Sequence, residues 1–195
     1  MKHGEEAVGL LLDVLNRLAL DYMVVGSFSS NRYGVPRATK DADFVLRIVA
    51  KERERLFAEL PVEFQIDPQV SFEMVTGTWR QIIQIPEIPF TIELFELSGD
   101  AHDQSRFERR KKLTLLGRNA SLPTPEDVIV QKLRWCKGAK RGKDFDDSVA
   151  VMGVQGEKSL DWPYIERWCA EHGTLDVLAE AKAEASVVWE ADELG

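Results

Sequence analysis

The chain of 195 residues is 44% hydrophobic and 30% charged, a balance that excludes wholesale disorder and predicts one compact soluble unit with a small helical appendage. Two cysteines, Cys136 and Cys169, with no secretory leader ahead of them, point to a cytoplasmic location and exclude a disulfide scaffold. No apolar run approaches the roughly 20 residues of a membrane span, so no membrane partner is expected. His3, His102 and His172 lack zinc-ligand spacing. The net charge of −8 gathers at the end of the chain, where from Glu157 onward ten acidic residues face Lys158, Arg167 and Lys182. The near-neutral remainder holds two basic clusters, residues 106–112 and 132–143; the first reads as a solvated helix face.

Residues 5–20 space Val8, Leu11, Leu12, Leu15, Leu18 and Ala19 as one side of an amphipathic helix. Residues 22–25 form a β-prone run ending at Gly26, and 27–33 predict a short helix or turn, then a loop through Gly34 and Pro36. Residues 41–49 read as a second strand. Asp41, Asp43 and Val45 share one of its faces, and Ala42, Phe44 and Leu46 the other. A charged helix at 51–59 follows, then extended segments near 62–66, 80–85, 89–97 and 112–116. Thr124, Pro125, Glu126 and Asp127 combine a capping hydroxyl, a proline at the first helical position and first-turn acids. Helices are expected over about 125–137, 143–153, 161–172 and 175–190. This order predicts an α/β fold, a mixed β-sheet flanked by helices, with a core over 1–123 and a helical subdomain over 124–195 packed on it.

Asp41 and Asp43, two residues apart on one strand, put two carboxylates about 7 Å apart. Such a pair repels unless a cation is shared, and a hard divalent ion with oxygen ligands relieves it. Gly26 and Ser27 follow directly on an apolar strand, where a glycine admits close approach and the start of a helix offers amides to phosphate. Arg37 and Thr39 precede the acids, adding a cation and a hydroxyl, the mixture a triphosphate requires. A third acid comes from the strand around residues 90–97, where Glu93 and Glu96 point to opposite faces; Glu93, in mid-strand, is preferred.

The series Gly26-Ser27, then Asp41-x-Asp43, then an acid on a later strand resembles the DNA-polymerase-beta-type nucleotidyltransferase superfamily. The tighter form Arg37-x-Thr39-x-Asp41-x-Asp43 is similar to its AbiEii-like branch, which also holds small bacterial antitoxin-like members. The Pro125-Glu126-Asp127 helix and the later Lys143-Asp144 pair match motifs of that branch. The resemblance spans roughly residues 22–150. It implies that Asp41, Asp43 and Glu93 bind Mg²⁺ or Mn²⁺, and that Glu93 doubles as base for an acceptor hydroxyl. Gly26, Ser27, Arg37, Thr39 and Lys143 would then hold a nucleoside triphosphate, and Lys132 would serve catalysis.

Two departures accompany the likeness. Glu stands where many members carry Asp as third acid, and the chain is shorter than the AbiEii-type toxins. Asp144 also reads as a helix N-cap and Asp147 as a first-turn acid, without chemistry. Trp162, Trp168 and Trp189 read as packing residues, and neither cysteine has a catalytic neighbourhood. The function expected is metal-dependent transfer of a nucleoside monophosphate to a hydroxyl of RNA, protein or a small molecule. The alternative is a catalytically weak nucleotide-binding or toxin–antitoxin interaction module of the same fold, with a toxin or antitoxin as its partner protein.

Overall fold

A computed structural model describes residues 3–74, 77–136 and 142–193, with side chains through 187. Contacts divide the chain into two units, one of residues 1–28 and 38–123, the other of residues 29–37 and 124–195. The segment 29–37, expected in the α/β core, thus clusters with the later helices.

The first unit opens with α1 (Gly4–Arg17) and β1 (Asp21–Val25), runs through the start of α2 (Gly26–Tyr33), and resumes at β2 (Asp41–Arg47) and α3 (Ala50–Ala58). Strands β3 (Gln65–Glu73), β4 (Thr78–Gln84) and β5 (Thr91–Glu96) follow, then α4 (Ala101–Arg109), β6 (Lys111–Leu115) and β7 (Arg118–Leu122). Five strands form a mixed sheet in the order β1-β2-β5-β4-β3, in which β2 and β5 run parallel and the other neighbours antiparallel. Strands β6 and β7 form a separate hairpin.

Alternation along the strands sorts side chains to two faces. On one face Tyr22, Val24, Ala42, Phe44, Leu46, Ile83, Ile92 and Leu94 join Leu11, Leu12 and Leu15 of α1 in the main core. On the other, Met23, Val25 and Val45 pack with Phe107 of α4, and Phe95 lies against them. The predicted division of β2 into an apolar face and a face carrying Asp41 and Asp43 is what the sheet uses.

Three elements depart from the expected boundaries, each for a local reason. Strand β3 lies at Gln65–Glu73 rather than near 62–66, with a register shift between Ile66 and Val70. Pro68 sits inside that irregularity, tolerated because β3 is an edge strand with no further neighbour to receive an N–H. Helix α4 begins at Ala101, ahead of the basic cluster at 106–112 that the sequence reads as a helix face. Asp100 caps it by accepting from the His102 and Asp103 amides, so the capping signal was present. Strand β7 lies outside the expected segments; it returns on β6 through Leu116 and Gly117, both at positive φ, as a tight hairpin turn requires. Nor is the cluster at 106–112 uniformly solvated. Arg106 is buried against Asp103 at 2.8 Å, and Arg110 lies over the Phe107 ring.

The second unit is helical: α5 (Pro125–Trp135), α6 (Lys143–Gln155), a short 3₁₀ turn (Glu157–Ser159), α7 (Trp162–His172) and α8 (Leu175–Glu193), together with residues 29–37. Thr124 caps α5 as predicted, with Pro125 in the first turn. Its core joins Ile129, Leu133, Phe145, Val151, Ile165, Trp168 and Leu178, with Trp162 packed partly against it. The Trp189 side chain lies outside the described residues. Among the described residues no helix is long and apolar enough to cross a membrane.

Candidate active site

In the first unit, parallel pairing sets Asp43 beside Glu93 and Asp41 beside Thr91, so all three acids occupy one face of the sheet. The Val45–Phe107 cluster fills one end of this face; the carboxylates stand, half-buried, at the other. Glu96 faces the opposite side and pairs with Arg53. Glu93, not Glu96, is therefore Asp43's neighbour. Thr39 donates its hydroxyl to Asp41 Oδ1 at 2.5 Å, and Arg80 Nη1 donates to Glu93 Oε2 at 3.0 Å.

Antiparallel pairing of Val25 with Asp43 brings the next residue, Gly26, against the same carboxylate. Gly26 opens α2 at φ +60°, and a Cβ there would lie 1.9 Å from Asp43 Oδ2. A glycine is needed here on two counts, positive φ and the closeness of an oxygen. The carboxylate thus lies at the start of a helix, where the dipole favours negative charge. Ser27, next along the helix, is buried. Replacing Gly26 with Ala is expected to cost about 1–2 kcal/mol for the left-handed backbone and to push the Asp43 carboxylate aside. Thermal denaturation should read the first effect, and a diminished Mn²⁺ response the second.

In the second unit, Arg37 and Lys132 belong to one ion network. Lys132 is buried, and its Nζ meets Asp144 Oδ1 and Asp147 Oδ2 at 2.8 Å each. Arg37 grips Asp147 with both prongs, Nε to Oδ1 at 2.7 Å and Nη2 to Oδ2 at 2.8 Å, and Ser30 Oγ donates to the same carboxylate at 3.2 Å. Burial pushes the Asp147 carboxyl up, but hydrogen bonds from Arg37 and Lys132 outweigh it and hold the group below the usual range. Burial likewise lowers Lys132, and its bonds to Asp144 and Asp147 more than restore it, so the ammonium persists.

This network corrects the capping account of the two aspartates. Helix α6 is capped by Gly142, Asp144 lies inside the first turn, and Asp147 is the hub of an ion cluster. Local sequence suggested a cap because Asp-x-x-x beside a hydrophobic run is a common helix start; partners distant in the chain decided otherwise. Lys143 is exposed at the start of α6. Part of the basic cluster, residues 137–141, lies outside the described residues. Burial drives the Cys136 thiol up to about 11 and raises Cys169 too, so neither supplies a thiolate at neutral pH.

Arg80 and Ser71 come to this face only through strand pairing. Arg80 Nε donates to Ser71 Oγ at 3.1 Å, joining β3, β4 and β5 through one guanidinium. It stands two residues before the β4 partner of Glu93, a relation that strand pairing alone reveals. The donor set of Asp41, Asp43 and Glu93 suits a hard divalent cation in chemistry, and the three share one face, with the Asp43 carboxylate lying close over Gly26. Among the described residues, no three His, Cys, Asp or Glu side chains converge closely enough to hold a metal. Glu93 is turned toward Arg80 instead.

The architecture is that of the nucleotidyltransferase fold, shared with solved structures at low sequence identity. One is ANT(2")-Ia in complex with adenylyl-2"-tobramycin: TM-score 0.59, 12% identity, 86% of this chain against 95% of that one. An antigenic nucleotidyltransferase-like protein from Paracoccidioides brasiliensis matches at TM-score 0.54 and 16% identity, covering 98% of this chain and 94% of its own. The lincosamide antibiotic adenylyltransferase LnuA, bound to lincomycin, matches at 0.52 and 12%, covering 79% and 99%. The sequence matches no family model and no curated protein.

Proposed function

We propose that the protein is a metal-dependent nucleotidyltransferase that moves a nucleoside monophosphate from a triphosphate to a hydroxyl. One observation carries this reading: Asp41, Asp43 and Glu93 share a sheet face, with the Gly26 turn seated against Asp43. Clustered like charges on a half-buried face are costly in a purely structural protein and useful where a cation is bound. Fold likeness to nucleotidyltransferases adds support; the narrower likeness to AbiEii-type proteins rests on the sequence motifs alone.

In this reading Asp41, Asp43 and Glu93 hold Mg²⁺ or Mn²⁺, which when bound neutralises the triphosphate and polarises the phosphorus under attack. Gly26 and Ser27 at the start of α2 present a close backbone, amides and a hydroxyl to the outer phosphates. Glu93 accepts the proton of the acceptor hydroxyl as that oxygen attacks the α-phosphate and pyrophosphate leaves. Thr39 holds the Asp41 carboxylate in place. Nucleotide-binding roles for Arg37, Lys132 and Lys143 rest on the sequence motifs alone; within the second unit the first two are oriented by Asp147.

Two of the similar structures are described with small antibiotics, as an adenylylated product or a bound ligand. This favours a small hydroxylated molecule over RNA or protein as acceptor here. The concentration of acidic residues after Glu157 also disfavours long nucleic acid. The test is a thermal shift with Mn²⁺ or Mg²⁺ plus each of the four nucleoside triphosphates, followed by assay of pyrophosphate release. Stabilisation of about 3–4 kcal/mol is expected when ligand exceeds its Kd a hundred- to thousandfold. No shift with any metal–triphosphate combination would sink the proposal.

A further inference from the structure

Arg80 is the cation that answers Glu93. From β4 its Nη1 reaches Glu93 Oε2 at 3.0 Å, while Ser71 of the edge strand accepts from its Nε at 3.1 Å. Ile82 is the register partner of Glu93, and Arg80, two residues earlier, projects from the same face and meets Glu93 diagonally. The acid face thus has three carboxylates with their charges satisfied differently: Asp41 by the Thr39 hydroxyl, Asp43 seated at the start of α2, Glu93 by a guanidinium.

A fixed guanidinium and a divalent ion compete for the same carboxylate oxygens. We infer that Arg80 is a positioning residue that keeps Glu93 turned away from Asp41 and Asp43, so that metal binding proceeds by exchange of one cation for another at Glu93. This rests on the reading of Glu93 as third metal ligand. Glu has the flexible reach to make the turn, since rotation about its side-chain torsions moves the carboxylate without moving the strand. The pair is partly shielded, with 34% and 19% side-chain exposure, so the exchange is not a negligible surface effect. Strand β5 carries its own comparison: Arg53 pairs with Glu96 on the opposite face, more exposed and away from the other acids.

Removing the guanidinium both releases Glu93 and deletes a positive charge beside the incoming ion. Arg80→Met should therefore tighten binding of Mn²⁺ alone by about tenfold, read by calorimetric titration without nucleotide. Arg53→Met should leave that affinity unchanged. A purely structural role for Arg80 predicts the opposite sign, because a loosened β4–β5 pair would weaken the metal site. Unchanged or weaker Mn²⁺ binding by a folded Arg80→Met protein overturns the inference. Should that variant fail to fold, Ser71→Ala, which unpins Arg80, is expected to tighten Mn²⁺ binding by a smaller factor, and no change there overturns it. A wild-type protein that ignores Mn²⁺ even with triphosphate defeats the nucleotidyltransferase reading and this inference together. Metal binding by wild type with an indifferent Arg80→Met defeats the inference alone.

Discussion

Asp43→Asn is expected to reduce nucleotidyl transfer by about a thousandfold or more, since a metal ligand contributes several kcal/mol of charge stabilisation. The amide preserves the shape of the carboxylate against Gly26 but removes the charge that would bind the ion. The same change removes like-charge repulsion toward Asp41 and Glu93 on the shared face. Its melting temperature should therefore be unchanged or slightly raised, and its Mn²⁺ response lost. Loss of transfer without loss of stability would separate a functional acid from a structural one. Retained pyrophosphate release at the wild-type rate would remove Asp43 from the machinery.

Asp147→Asn should destabilise the helical unit by about 3–5 kcal/mol, the usual cost of breaking a buried ion pair by removing one partner. It leaves the buried Lys132 ammonium with Asp144 alone and strips Arg37 of its two-pronged acceptor. The pH dependence follows from the direction of the shift. Asp147 titrates lower in the folded protein than in the unfolded chain, so its contribution is present above the unfolded value of about 4 and fades as pH falls through the folded value. Urea denaturation should show the largest difference between wild type and variant near neutral pH, and convergence below about pH 4. Lys132, shifted up, gives the mirror effect at the alkaline end: stability present below its unfolded value and lost as pH rises through the folded one. A gap between the two proteins that stays constant from pH 7 to pH 3 would contradict the ion-cluster account.

Much of the architecture was legible in the chain. The period-2 pattern over residues 41–47 announced a strand with an acid face, and the Thr124–Pro125 cap announced α5, because both signals act between near neighbours. The start of helix α4 and the whole of strand β7 are not legible from periodicity, although Asp100 and Gly117 mark them, because short elements carry little of it. Strand β3 runs later than the extended segment expected near 62–66, and it accommodates Pro68 because it lies at the sheet edge.

That Asp41 and Asp43 share a face, and that Glu93 and Glu96 lie on opposite faces, follows from strand alternation, a property of the backbone alone; that Glu93 is the one beside Asp43 is set by the pairing of β2 with β5. Which partner each charge takes does not follow from alternation. Arg80 on Glu93, and Arg37 with Lys132 on Asp147, join residues from different strands or helices. Such pairs form only after burial of apolar faces has set strand register and helix packing, and no local preference encodes them.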